Sequence, residues 1–314
     1  MEINYETLAN ECGLSNPDNL QETVSSIEKL QTRYDNSDLV DIYNYFLATC
    51  KYPNKLSEII RYEDRIRDKK SLSALIDILL GKIDADNDVN LDDYVNTRVM
   101  AAKAIANLKD TTAVNALLYC LNNKKENYKI RFACADALGK IGDKYAVAPL
   151  IEVVRDEDEK SVYLRESAAS ALGMLGDLRA VESLVGILET KNGLIDKFTF
   201  LKERVLEALG KLNVGGNKRV FNALKKSLKD ESPQIRINAI EALMESGCEE
   251  AVSLIKESLD DNNDEVKQNA LIALYNMKGR QILDEIISEN RYGEYVNNEA
   301  RLLIDEYEND EAEQ

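Results

Sequence analysis

One segment of the chain is spaced like a metal loop. In residues 84–96, DADNDVNLDDYVN, Asp88, Asn90 and Asp92 stand at the first, third and fifth positions of an EF-hand-like calcium loop, and Asn96 stands at the ninth. Oxygen ligands at alternate positions can converge on a hard cation. The pattern then departs. Asp93 stands where the sharp turn needs glycine, and Val99 where a bidentate carboxylate is needed. The segment reads as a polar turn, and neither a metal nor a cofactor is expected.

Other reactive side chains are sparse. Cysteines fall at positions 12, 50, 120, 134 and 248, with no CxxC among them, which suits buried thiols in a reducing compartment better than a zinc site or a disulfide framework. There is no histidine, which removes Ser-His-Asp and Cys-His nucleophile pairs and imidazole acid-base chemistry. Glu203 and Glu207 form an i, i+4 carboxylate pair of a kind expected by chance at this composition. Gly215-Gly216 reads as a flexible turn and not as a phosphate loop. No catalytic residue is assigned.

The charge balance narrows the partners. Lys+Arg 40 against Asp+Glu 57 gives −17, with a pI near 4.7. A polyanionic nucleic acid or an anionic membrane needs basic surface, so neither is expected. The first residues carry Glu2, Glu6 and Glu11 and no basic stretch, unlike a signal peptide. No apolar run reaches the roughly 18–20 residues of a membrane span. The reading is a soluble, cytoplasmic protein.

What must position any functional side chain is a repeat. A basic residue followed seven places later by an aliphatic one recurs as Arg98/Ile105, Arg131/Leu138, Arg165/Leu172, Lys202/Leu209, Arg236/Leu243 and Lys267/Leu274. These basic anchors are 33, 34, 37, 34 and 31 residues apart, with Asn297 a further 30 on. Each unit reads as two helices. Val147, Leu150, Ile151 and Val154 share one helical face, and after an acidic turn Leu164, Ala168, Ala171, Leu172 and Leu175 share another. Gly142-Asp143 and Gly176-Asp177 end one helix and start the next, glycine supplying positive φ and aspartate an N-cap; Lys109-Asp110 fills the same place without the glycine. Small residues three and six places after the anchor, such as Ala168/Ala171 and Ala239/Ala242, allow close helix approach. Stacked pairs then share a core that no single pair can close.

The phrases RFACADALGKIGDKYAVAPLI and LRESAASALGMLGDLRAVESLV resemble HEAT repeats, specifically the short subtype named after phycobilisome lyases. The resemblance covers roughly residues 56–304 and is strongest over 128–190 and 232–287. It implies an all-α, right-handed α-solenoid of about six to seven repeats, with the second helices lining the concave side. It also implies a ladder in which a turn aspartate bonds the basic anchor; Asp92/Arg98, Asp230/Arg236 and Asp261/Lys267 keep the required six-residue offset. Three domains are expected. Residues 1–54 form a helical cap with segments near 3–11, 17–31 and 37–50. Residues 55–304 form the solenoid, beginning with a degenerate repeat over 56–80, and residues 305–314 a solvated, frayed acidic tail.

Two surfaces are candidates for recognition. On the second helices, positions one, five and nine after the anchor are expected to face outward. They include Phe132, Asp136, Glu166, Ser170, Met174, Glu203, Glu207, Ile237 and Glu241. Apolar anchors such as Phe132, Met174 and Ile237 beside carboxylates suit a protein or peptide carrying basic residues. The other surface is an edge. The connection from the last core residue of a first helix to the next anchor spans 19, 10, 11 and 14 residues in the earlier repeats and 8 in the last two, and the longer ones carry Tyr94, Tyr128, Tyr163, Phe198 and Phe200.

The favoured function is a non-catalytic scaffold or adaptor that binds a protein or peptide. Resemblance alone leaves a bilin lyase or chaperone as the alternative, and a HEAT-built DNA glycosylase is opposed by the charge and by the absence of tryptophan.

Overall fold

Single residues set the helix boundaries. Gly142 and Gly176 close their helices at φ 83° and 62°, a left-handed conformation that costs a residue with a side chain about 1–2 kcal/mol. The aspartate that follows caps the next turn. Asp143 accepts from the Tyr145 N–H at 2.9 Å and Asp177 from the Arg179 N–H at 3.0 Å. Asp110 does the same for Thr112, but Lys109 before it is held at φ 50° for want of a glycine.

The computed structural model describes residues 3–82, 91–189, 199–212 and 217–313. Among them lie eighteen α-helices and no strand, and the fold is an all-α solenoid. The chain divides into two compact units, residues 1–150 and 151–314.

In the first unit the helices are α1 (Tyr5–Glu11), α2 (Leu20–Arg33), α3 (Asn36–Thr49), α4 (Pro53–Ile66), α5 (Leu72–Leu79), α6 (Leu91–Leu108), α7 (Val114–Asn122) and α8 (Tyr128–Ile141). They form two rows. α1 packs on α3, α3 on α5 and α5 on α7; α2 packs on α4, α4 on α6 and α6 on α8. The segment up to residue 54, read from sequence as an atypical cap, thus continues both rows. α4 is a second helix in its own right. Leu56 stands in its anchor position, and Leu56, Ile59, Ile60 and Glu63 are buried. The buried cation of this helix, Lys55, comes one residue before that position and donates to the Gly13 and Asp18 carbonyls at 2.8 and 2.9 Å, which is why the sequence pattern starts late.

Helix α9 (Val147–Arg155) crosses from one unit to the other. The second unit holds α10 (Val162–Leu175), α11 (Val181–Glu189), α12 (Thr199–Lys211), α13 (Lys218–Ser227), α14 (Pro233–Glu245), α15 (Glu249–Glu257), α16 (Asp264–Lys278), α17 (Arg280–Glu289) and α18 (Gly293–Glu313). The even-numbered helices α10 to α18 form one continuous row, each packed on the next. α18 runs helically through the acidic segment expected to fray. Close approach within the row has a visible cause at Gly173 of α10, where an added Cβ would lie 2.8 Å from the Ala208 Cα of α12.

Three of the basic anchors close their own pairs. Nε of Arg98, Arg131 and Arg165 donates to the carbonyls of Leu79, Leu121 and Val154 at 2.8, 2.8 and 3.0 Å. Each of these carbonyls ends a first helix, where orphan acceptors and the helix dipole favour a cation. The remaining guanidinium fork reaches forward along the row. Arg98 is bidentate to Glu126 at 3.2 and 2.6 Å, and Arg236 to Asp261 at 2.7 and 2.8 Å. Lys202 reaches Asp230 at 3.1 Å. The ladder therefore exists, but two of its aspartates take partners other than the expected ones. Asp230 and Asp261 bind the anchor of the preceding repeat, and Arg236 touches Asp230 only through its backbone carbonyl at 2.8 Å. A six-residue offset places the aspartate one turn before its own helix, within reach of the earlier anchor.

One buried group in the first unit breaks the apolar register. Glu63 sits seven places after Leu56, where anchored helices carry Ile105 or Leu138, and is 1% exposed. One oxygen accepts from the Ser71 hydroxyl, and the other has no partner. Burial pushes its carboxyl up to about 7; the Ser71 hydrogen bond opposes this and the charges of Asp68 and Asp64 add to it.

Candidate functional site: the outward face of the second helices

An α-helix turns about 100° per residue, so positions seven and four after the anchor stay near the core side with it. Positions two before and five and nine after the anchor cluster on the opposite side, whereas the position two after it is buried at Ala133 and Ser167. Position one lies about 100° round from the anchor, on the flank that meets the next second helix. This corrects the sequence expectation at two residues. Glu203 is 9% and Ile237 4% exposed, so neither belongs to an open surface. The outward column adds the position two before the anchor, where Tyr163 and Phe200, expected on the edge connections, stand on helices instead.

In the second unit the face begins with aromatics. Tyr163 of α10 and Phe200 of α12 occupy the same register position on neighbouring helices and are 64% and 65% exposed. Ser170 is half-buried and Met174 exposed on α10. Glu207 is not a free carboxylate. Arg204 and Lys211 of its own helix hold it at 2.6 Å each. Burial resists its ionisation, but these two cations outweigh it and hold the carboxyl below its ordinary value. Glu241 and Glu245 of α14 lie one turn apart, and among the described residues neither has an ion-pair partner. Burial raises the Glu241 carboxyl, and the charges of Glu245 and Glu207 raise it further. Glu166 is raised by burial and by Glu203, against the pull of Arg204. Farther along, Leu302 and Tyr295 of α18 are exposed, a second apolar patch that the sequence reading missed because Asn297 is a weak anchor.

In the first unit the same columns differ in charge. Arg61 and Arg65 of α4, Lys103 of α6, and Lys129 and Lys140 of α8 are all exposed. Arg61 pairs with Glu58 at 3.0 Å and Lys140 with Asp136 at 2.8 Å. Phe132 and Tyr128 are exposed on α8. Tyr94 is half-buried instead of lining an edge: its hydroxyl donates to the Gly81 carbonyl at 3.1 Å, and the Arg98 guanidinium lies over its ring. Phe198 lies outside the described residues, as do Asp88 and Asn90 of the acidic loop. Among the described residues no group of three or more Cys, Asp or Glu is placed to hold a metal, and no helix is long and apolar enough to cross a membrane.

Paired helices in stacked rows, held by arginine-capped carbonyls and presenting variable side chains along one row, define a solenoid repeat protein. The chain belongs to the HEAT-repeat family: the model of HEAT repeats matches residues 89–162, 126–199 and 193–275, more than half of its length together. No curated protein matches it in sequence. Among solved structures it is similar to the complex of CpcE and CpcF of phycocyanin lyase from Nostoc sp. PCC7120, at 20% identity over 74% of this chain and 94% of that one, with a TM-score of 0.45. Human deoxyhypusine hydroxylase is similar at 16% identity over 87% and 96%, with a TM-score of 0.36. The karyopherin Kap121p bound to the extreme C-terminus of the protein phosphatase Cdc14p superimposes with a TM-score of 0.54, at 12% identity, over 96% of this chain and 37% of that one. At these identities the likeness is one of fold.

Proposed function

We propose that this chain is a non-catalytic scaffold that holds a basic peptide segment of a partner protein on the second-helix face of residues 151–314. One observation carries the reading. Exposed Tyr163, Phe200 and Met174 share one row of helices with Glu166, Glu241 and Glu245, carboxylates that have no ion-pair partner among the described residues. Glu241 and Glu166, whose ionisation burial and neighbouring carboxylates oppose, gain from an arriving cation, and aromatic side chains supply apolar contact at low entropy cost. That the fold carries such a role is supported by Kap121p, a solenoid that binds a protein segment. Its setting is a reducing cytoplasm, which suits cysteines that are all free.

The test is calorimetric titration with a Lys- and Leu-containing amphipathic peptide at two ionic strengths. Binding that weakens with salt, and weakens about tenfold or more in E241K/E245K, supports the reading. Equal binding by wild type and variant rules it out. An absorbance shift on mixing the protein with a free bilin would replace it with chromophore handling.

A further inference from the structure

The charge of this protein is unevenly spread. Residues 151–314 carry 21 Lys and Arg against 34 Asp and Glu, whereas residues 51–150 carry 17 against 14, a net positive stretch within a chain of net charge −17. Much of that excess surfaces on one face. Arg61, Arg65, Lys103, Lys129 and Lys140 stand at the outward register positions of α4, α6 and α8. Among the described residues the side chains of Lys103 and Lys129 have no ion-pair or hydrogen-bond partner. Arg65 lies over the Tyr62 ring of its own helix, at 4.9 Å, with its charge unpaired.

We propose that the second-helix face of residues 51–150 docks an acidic peptide segment of a partner protein. This site is distinct from the one proposed above and opposite to it in charge. The spacing fits. Arg61 and Arg65, one turn apart, are separated by about 6 Å along the helix axis, and cations on adjacent helices by about 8–10 Å. Carboxylates at alternate positions of an extended peptide recur every ~6.5–7 Å. A nucleic acid fits less well. Its phosphates form a continuous line that would meet Glu58 and Asp136 on the same face. A peptide with discrete acidic residues meets only the local field, because charges beyond about 8 Å are screened at physiological salt.

The test uses the full chain and three fluorescent probes of about a dozen units each: a Glu-Ser repeat peptide, a Lys-Ser repeat peptide and oligo-dT. Anisotropy is read at about 0.15 M salt. The Glu-Ser peptide should bind. R65E/K103E/K129E should weaken it about tenfold or more, while E241K/E245K leaves it within about twofold. The milder K103Q/K129Q, with circular dichroism to confirm the fold, should weaken it about threefold. No binding of the Glu-Ser peptide, binding unaffected by either basic-face variant, or oligo-dT binding as tightly as the peptide would each overturn the proposal. The Lys-Ser arm reports separately on the acidic face.

Discussion

Residues 1–150 and 151–314 are two versions of one construction. Both stack helix pairs in rows, both use an arginine to close a first helix, and both leave the same register positions of the second helix facing out. They differ in what fills those positions and in what lies beneath. The first unit presents cations over an interior containing a buried carboxyl group. The second presents aromatics and carboxylates over an apolar row. The framework is thus indifferent to its surface. Packing is decided by the anchor, the small residues and the flank positions, and recognition by the rest.

If the anchors are equivalent, removing them should cost the two units alike. Arg98→Ala and Arg236→Ala each strand a carboxylate (Glu126 or Asp261) in a site where both partners are about a tenth exposed. Each should lose about 3–5 kcal/mol in urea melts of the full chain. A loss below ~1 kcal/mol in either would show that one pair is only a surface contact.

The units should separate with pH. Glu63 has a folded-state value of about 7 against 4.5 for the free carboxyl, so the folded chain binds that proton more tightly. Its contribution is fully present below about 4.5 and is lost as pH rises through 7. The first unit should weaken by on the order of 3 kcal/mol between pH 4.5 and 8. Glu63→Gln, which keeps the shape without the charge, should be the more stable protein at pH 8. Hydrogen exchange resolved by segment checks whether the effect is confined to residues 1–150; a uniform response across the chain would place its origin elsewhere.

A third contrast concerns helix spacing. Gly173→Ala should cost about 1–3 kcal/mol by forcing α10 from α12. The smallest effect expected is a gain. Lys109→Gly removes the strain of a left-handed lysine and should add about 1 kcal/mol, read as a higher denaturant midpoint with unchanged slope.

Most of the framework was legible in the sequence because it repeats. The Gly-Asp turns, the anchors and the small residues each mark a backbone requirement that only a few residue types meet. What escaped had no such signature. α4 carries Leu56 and Glu63 where the pattern wants a cation and an aliphatic residue, so it was split between cap and repeat. The ladder aspartates were found, but sequence offset cannot say to which neighbour a side chain in a turn will reach. At the candidate site, Glu203 and Ile237 were placed outward although the roughly 100° helical step already puts them on the flank. The positive excess of residues 51–150 was open to simple counting; it was hidden by the single total of −17.

The register at the second helices has an engineering consequence. The positions two before and five and nine after the anchor are exposed or half-buried on every anchored helix while the neighbouring ones lock the stack, so the outward set can be rewritten like tiles on a fixed lattice. Exchanging Lys103 of α6 with Glu241 of α14, both exposed, would move a cation and a carboxylate between the two faces without touching a core residue.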